Sequence, residues 1–278
     1  MLTYDVVVPV KLLAEAKTRL APAVDRAARA ELARAFVLDT IDAALVAERV
    51  ERVIVVGDLS GHVDEVPDGV VVVAEPEPRS LATAIRHGIA EARRLAADRS
   101  TSAAGASGRS HRGIAVLLGD LPALTGAALD AALGAASRHP LAFMPDAEGT
   151  GTTLAAAAAH TRFEPAFGVD SAMLHRALGF HDLSHEVAAP LAARVRRDVD
   201  TVGALEAAVR LGPGAHTTAA LAARGVVDAV RRGEADSRAA DSRAADLRPD
   251  AGPSADVDTD PDAGAPPCPS DSIRKGAA

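Results

Sequence analysis

The sequence predicts an α/β fold, a single domain built on a mostly parallel sheet with helices on both faces. Three observations predict it. Short all-apolar, β-branched runs recur along the chain, as strands buried on both faces require. Longer stretches with apolar residues at helical spacing alternate with them. The loops richest in functional side chains follow the carboxyl ends of two of those runs, where open parallel sheets bind ligands.

In chain order, Tyr4 to Val10 reads as a buried strand closed by a loop. From about Val24 to Ala47, Leu32, Ala35, Phe36, Leu38, Ile41 and Leu45 recur at helical spacing and predict a helix. Val53 to Val56 and Val70 to Val73 are the next two strands, and a helix follows from about Leu81 to Ala97. Ile114 to Leu118 is a fourth buried strand that runs straight into Gly119-Asp120-Leu121-Pro122. A helix from about Gly126 to Ser137, a strand from Leu141 to Met144 and a helical stretch from Val202 to Leu211 complete the pattern.

Two segments break it. Asp98 to Arg112 is rich in Ser, Gly and Ala and exceeds the usual short connection, so a flexible surface insertion is expected there. From Gly233 to Ala278 the hydrophobic periodicity is lost and Pro, Asp and Ala dominate, which predicts a disordered tail on a domain spanning 1–232.

Composition narrows the function. Of 278 residues, 48% are hydrophobic but only 2% aromatic, so a sizeable core must be built from Ala, Val and Leu. Few aromatics and a net charge of -8 argue against nucleic-acid binding, which needs stacking platforms and a cationic face. The lone Cys268 excludes an internal disulfide and a cysteine metal site, which fits a reducing compartment. No signal-peptide pattern and no run near the ~18 apolar residues of a membrane span is present, so a cytoplasmic protein without a membrane partner is expected.

Four constellations carry chemistry. Lys11, Lys17, Thr18 and Arg19 lie just past the first strand and suit a polyphosphate, since Arg binds phosphate in two-pronged fashion and Lys adds a compact charge. The competing reading is a solvated helix start, and the Gly-x-x-x-x-Gly-Lys pattern of a P-loop is missing. Asp120 ends a buried strand, where a carboxylate is costly unless it binds something, and magnesium favours such hard oxygen ligands. Its competing role is a helix cap. In Arg197-Asp198-Val199-Asp200-Thr201 the two aspartates share a face of an extended segment. Asp200 or Thr201 is the natural cap of the helix that follows, which leaves Asp198 as the second metal carboxylate. Finally, Gly149-Thr150-Gly151-Thr152-Thr153 and Phe167-Gly168-Val169-Asp170-Ser171 combine glycines, hydroxyls and a helix start that together can cradle another phosphate, although each alone reads as an ordinary turn. His175, His181 and His185 match no zinc spacing and read as core or surface histidines.

Taken in order, these motifs resemble the 2-phospholactate or phosphoenolpyruvate guanylyltransferases of coenzyme F-420 biosynthesis, most of all the actinobacterial phosphoenolpyruvate type. The resemblance covers about Asp5 to Gly214. It rests on Val-Lys-Leu-Leu-Ala-Glu-Ala-Lys-Thr-Arg-Leu, Gly-Asp-Leu-Pro-Ala-Leu, Gly-Thr-Gly-Thr-Thr, Phe-Gly-Val-Asp-Ser and Arg-Asp-Val-Asp-Thr. It implies a Rossmann-like nucleotidyltransferase domain similar to that of molybdenum-cofactor guanylyltransferases. It further implies that Asp120 and Asp198 hold Mg2+, that Thr152, Gly168 and Ser171 contact phosphoenolpyruvate, and that Lys11, Lys17, Thr18 and Arg19 face GTP. Transfer of the product to the next enzyme of the pathway would follow.

The chain departs from the family where Ser80-Leu81-Ala82 replaces a Gly-Leu-Asn, which removes a polar contact near the nucleotide at Ala82. The alternatives are a transferase acting on phospholactate, a sugar phosphate or molybdopterin, and a nucleotide-binding protein without catalysis. The molybdopterin version lacks its Gly-Gly-x-Ser-x-Arg loop, since Pro9-Val10-Lys11 stands there.

Overall fold

The structure is a computed structural model that describes residues 1–10, 20, 25–59, 66–102 and 112–223. The chain alternates strands and helices at first: β1 (Thr3–Pro9), α1 (Arg26–Leu45), β2 (Val50–Val56), β3 (Val70–Val73), α2 (Leu81–Ser102), β4 (Arg112–Leu117) and α3 (Gly126–Ala136). Then come β5 (Leu141–Pro145), β6 (Thr152–Ala157), α4 (Ser171–Ala177), β7 (His181–Asp182), α5 (Ala189–Arg196), α6 (Val202–Leu211) and α7 (Ala215–Ala223). The strands form one sheet in the order β3-β2-β1-β4-β6-β5-β7. The α/β class with a mostly parallel sheet is therefore as expected. β6 runs antiparallel to both β4 and β5, while the other neighbouring pairs are parallel.

Alternation along the strands makes two cores. Val6, Val8, Val53, Val55, Leu117 and Met144 face the side covered by α1, α3 and α5. Val7, Ile54, Val56, Val116 and Phe143 face α2 and Ala172 of α4. A third cluster joins Phe36 of α1 to Leu205 of α6 and Leu221 of α7. Small side chains allow close layers: a Cβ on Gly88 of α2 would come within 2.3 Å of Val7. Among the described residues, no helix is long and apolar enough to cross a membrane.

The structure corrects one boundary. The expected insertion from Asp98 to Arg112 is ordered at both ends. α2 continues to Ser102, because Arg94 pairs with Glu91 at 2.7 Å and Asp98 at 2.6 Å on the same helical face. Arg112 opens β4 and pairs with Glu51 at 2.9 Å. Residues 103–111, and the tail expected at 233–278, lie outside the described residues.

α7 is anchored by a carboxylate from another helix. Asp39 of α1, only 5% exposed, accepts the His216 and Thr217 amides, each at 2.9 Å. It thereby satisfies two amides that a helix start leaves open. A Cβ on Gly214 would sit 2.3 Å from Asp39 Oδ1, so the approach requires glycine. Asp39→Ala should leave both amides short of a partner and lower stability by about 2 kcal/mol, read from urea unfolding.

Candidate functional site

The loop after β4 carries Asp120, and its main chain is held from several directions. The Leu118 amide donates to the Thr153 carbonyl of β6 at 2.9 Å. The Leu121 amide donates at 3.2 Å to Thr40 Oγ1 of α1, whose hydroxyl in turn donates to the Phe36 carbonyl at 2.8 Å. The Asp120 carbonyl accepts the Val199 amide at 3.1 Å, and the Pro122 carbonyl accepts the Gly214 amide at 2.8 Å. Arg194 donates to the Ala123 carbonyl at 2.9 Å. Asp120 is half-buried. It does not cap a helix: α3 starts at Gly126 and is capped by Thr125, which accepts the Ala128 amide. The competing role considered for Asp120 is therefore filled by another residue.

The contact from Val199 to Asp120 joins two segments that are far apart in sequence. Val199 is fully buried, Asp198 beside it is half-buried and Asp200 is exposed. Thr201 caps α6 by accepting the Ala204 amide at 3.2 Å, which again leaves the aspartates free of that duty. The segments that carry Asp120 and Asp198 thus meet at the carboxyl edge of β4.

Thr152 stands at the start of β6, level with the same edge, since Leu154 pairs with Leu117. The Gly149–Thr150–Gly151 turn before it is closed by Asp146, whose carboxylate accepts the Thr150 amide at 2.9 Å and the Gly151 amide at 2.7 Å. Arg196 fixes the same turn from α5 by donating to the Asp146 carbonyl at 2.7 Å. The amides of this turn are therefore occupied by a carboxylate, and the phosphate cradle expected of its glycines is not formed by them. The start of α4 is similar. The Ser171 amide donates to the Gly168 carbonyl at 3.3 Å and the Ala172 amide to the Thr150 carbonyl at 3.0 Å. Thr152 and Ser171 are themselves buried, at 3% and 1% exposed, while Gly168, whose φ is 130°, has open space where a Cβ would stand.

His175 of α4 binds this region together. Its Nδ1 lies 3.0 Å from Thr152 Oγ1, and its Nε2 accepts the Ala166 amide at 3.1 Å. It is a core histidine, as its sequence reading allowed, whereas His181 and His185 are exposed. Burial lowers its pKa to about 4, opposed in part by a bond to the Ser171 carbonyl.

Of the cationic segment, Lys11, Lys17, Thr18 and Arg19 lie outside the described residues. Its entry point is described. The Val10 amide donates to the Val56 carbonyl at 2.9 Å, and a Cβ on Gly57 would come within 2.4 Å of the Val10 carbonyl. The segment therefore leaves β1 at the ligand edge. Ala82 is exposed in the first turn of α2, where Ser80 accepts the Thr83 amide at 3.1 Å.

One cluster escaped sequence reasoning. His139 and His181 stack with ring centroids 3.7 Å apart, and Glu186 accepts from His139 at 2.8 Å and also pairs with Arg138. Three side chains with metal-ligand atoms meet there. The rings are 8° from parallel, and both Nε2 atoms of this cluster converge on Glu186 Oε1, His139 at 2.8 Å and His181 at 2.5 Å. It lies at the opposite edge from Asp120, since Leu141 pairs with Ala157 and Ala157 with Ile114 at the start of β4. The cluster is a charge network that closes the β5–β7 edge. Only spatial proximity reveals it.

A family profile described as "Guanylyl transferase CofC like" matches residues 4–176. The chain is 41% identical to the phosphoenolpyruvate guanylyltransferase of Streptomyces coelicolor, over 80% of this chain and 96% of that one. It is 39% identical to the phosphoenolpyruvate guanylyltransferase of Sanguibacter keddieii, over 79% of this chain and 84% of that one. Among solved structures, a candidate nucleotide-diphospho-sugar transferase from Desulfovibrio desulfuricans shares the fold, with a TM-score of 0.55 and 16% identity over 84% of this chain and 98% of that one.

A histidine held neutral makes stability depend on pH. Its folded pKa lies below the usual value of 6.5, so the unfolded chain takes up the proton first. The contribution is intact above about pH 6.5 and declines as pH falls toward 4, by at most about 1.4 kcal/mol per pH unit for one proton. Urea unfolding at pH 7 and pH 5 should show a larger loss in the wild type than in His175→Phe.

Proposed function

The chain belongs to the CofC-like guanylyl transferase family, and from that premise we propose that it transfers a guanosine monophosphate unit from GTP to phosphoenolpyruvate. An oxygen of the acid's phosphate attacks the α-phosphorus of GTP. The bond to the β-phosphate breaks, and enolpyruvyl-2-diphospho-5′-guanosine and pyrophosphate leave. The reaction belongs to coenzyme F-420 biosynthesis in the cytoplasm, where the next enzyme takes up the product.

The observation that carries this reading is the junction at which the Val199 amide meets the Asp120 carbonyl. It supports a pair of carboxylates, from segments 78 positions apart in number (198 less 120), serving one site at the ligand edge. Neither aspartate is used as a helix cap, and hard carboxylate oxygens are the donors magnesium prefers. The relatives' names supply the nucleotide and the acid.

Two polyanions must approach, so the barrier is largely electrostatic. Mg2+ held by Asp120 and Asp198 would offset that repulsion and favour in-line geometry. Asp120 is held in place by the bonds to its loop, so its carboxylate needs little reorganisation when substrates bind. Lys11, Lys17 and Arg19 would hold the GTP phosphates, with Thr18, and stabilise charge on the departing pyrophosphate. Thr152 and Ser171 offer hydroxyl donors to the acid, and Gly168 lets it approach the backbone. The acid's phosphate is already anionic, so no general base is required.

Asp120→Ala should abolish pyrophosphate release while the circular dichroism spectrum and melting temperature stay near wild type. An active Asp120→Ala enzyme in magnesium-replete buffer would remove Asp120 from the mechanism. Offering GTP with phosphoenolpyruvate, phospholactate or a sugar phosphate in turn tests the acid. GTP binding without release from any acid would favour a non-catalytic protein.

A further inference from the structure

We infer that His175 is a positioning residue that fixes Thr152 as a hydrogen-bond donor toward the anionic acid. The inference rests on the proposed role of Thr152 and deepens it.

A backbone amide can only donate. The Ala166 amide donates to Nε2 at 3.1 Å, so Nε2 carries no proton. The ring is fully buried and packs against Phe143, Phe167 and Phe180, with centroids 5.3, 5.5 and 4.7 Å away. An apolar cage of this kind disfavours the imidazolium, and the neutral ring then has its single proton on Nδ1.

The consequence falls on Thr152. Its Oγ1 is 3.0 Å from Nδ1, and a protonated Nδ1 leaves Oγ1 only the acceptor role in that contact. The hydroxyl hydrogen is then not spent on the ring, although Thr152 itself is only 3% exposed. With the opposite tautomer Thr152 would donate to His175 and present only lone pairs to a ligand. Phosphate and carboxylate oxygens are acceptors at neutral pH, so that arrangement would repel the acid. The tautomer of one buried ring therefore sets whether Thr152 attracts or repels an anion. The same ring ties β6 through Thr152 to the segment before Gly168 through Ala166. Both stretches border residues proposed to touch the acid.

Two readouts test this independently. The first needs no substrate: a two-bond proton–nitrogen spectrum of the 15N-histidine protein at pH 7 should show His175 protonated at Nδ1 and bare at Nε2. Protonation at Nε2 would overturn the inference, whichever acid the enzyme uses. The second is kinetic. His175→Phe should raise the KM for phosphoenolpyruvate by about tenfold, the scale of one lost hydrogen bond to an anion, with the KM for GTP within about twofold. It should add little in a Thr152→Val background. A folded His175→Phe protein with unchanged KM for the acid, or effects that add fully, would sink it. If His175→Phe fails to fold, His175→Asn and His175→Gln decide. Asn can keep the donor to Thr152 and Gln the acceptor for Ala166, so Asn should retain the lower KM and the reverse order counts against the inference. A wild type that turns over no acid would defeat the proposed reaction and leave the tautomer measurement standing.

Discussion

The main chain from Leu118 to Ala123 is the constraint on which the site depends. Its amides and carbonyls are bonded to β6, to α1, to the segment before α6, to the segment before α7 and to Arg194 of α5. Each bond is worth about 1 kcal/mol net, but all act on six residues and leave the backbone little freedom. A carboxylate on such a loop is pre-positioned. It does not cap a helix, because Thr125 and Thr201 cap the neighbouring ones.

The fold makes this convergence possible by its strand order. β1 and β4 lie side by side at the centre, so the segments that leave their carboxyl ends emerge together. β6, reversed between β4 and β5, brings its first residue to that same edge, because an antiparallel strand begins where its neighbours end. Thr152 stands at the carboxyl edge of β4 for that reason. The reversed strand also gives Asp146 and Arg196 a tight turn to hold; the Asp146 carboxylate takes two of its amides and Arg196 the Asp146 carbonyl.

The strands with continuous Val and Ile runs were legible in the sequence, as were the helices α1, α3 and α6, because their apolar period or hydroxyl caps are local signals. β6 was not. Thr152 and Thr153 follow two glycines and read as part of a turn, and Leu154 to Ala157 carries no β-branched run to mark a strand, yet Thr152–Ala157 is a fully buried one. α5 escaped because Ala189 to Arg196 has only Ala192 and Val195 buried, too few to mark a face. In the site, Asp120 was visible as a carboxylate ending a buried strand. Its nearness to Asp198 depends on a contact between distant segments, and His175 owes its role to Ala166 and Thr152, which no spacing rule connects. Local chemistry was legible, and three-dimensional partnership was not.

The positive charge near the acid must come from somewhere, and the described arginines on that side are already engaged. Arg194 donates to the Ala123 and Gly212 carbonyls, Arg196 to the Pro145 and Asp146 carbonyls, and Arg197 pairs with Glu148 at 2.8 Å. Their charges hold loops. To the proposed acid the described scaffold would therefore offer neutral, directional donors, chiefly hydroxyls, which discriminate by geometry but contribute roughly 0.5–1.5 kcal/mol each. In the proposed reaction, charge-assisted bonds, at roughly 1.5–3 kcal/mol, would fall to Lys11, Lys17 and Arg19 and to a divalent cation. That division separates two tasks. In the proposed reaction, long-range attraction would bring a polyanion to the edge, and short-range hydroxyl orientation would select which acid is held there. A single buried imidazole can then govern selection without carrying any charge of its own.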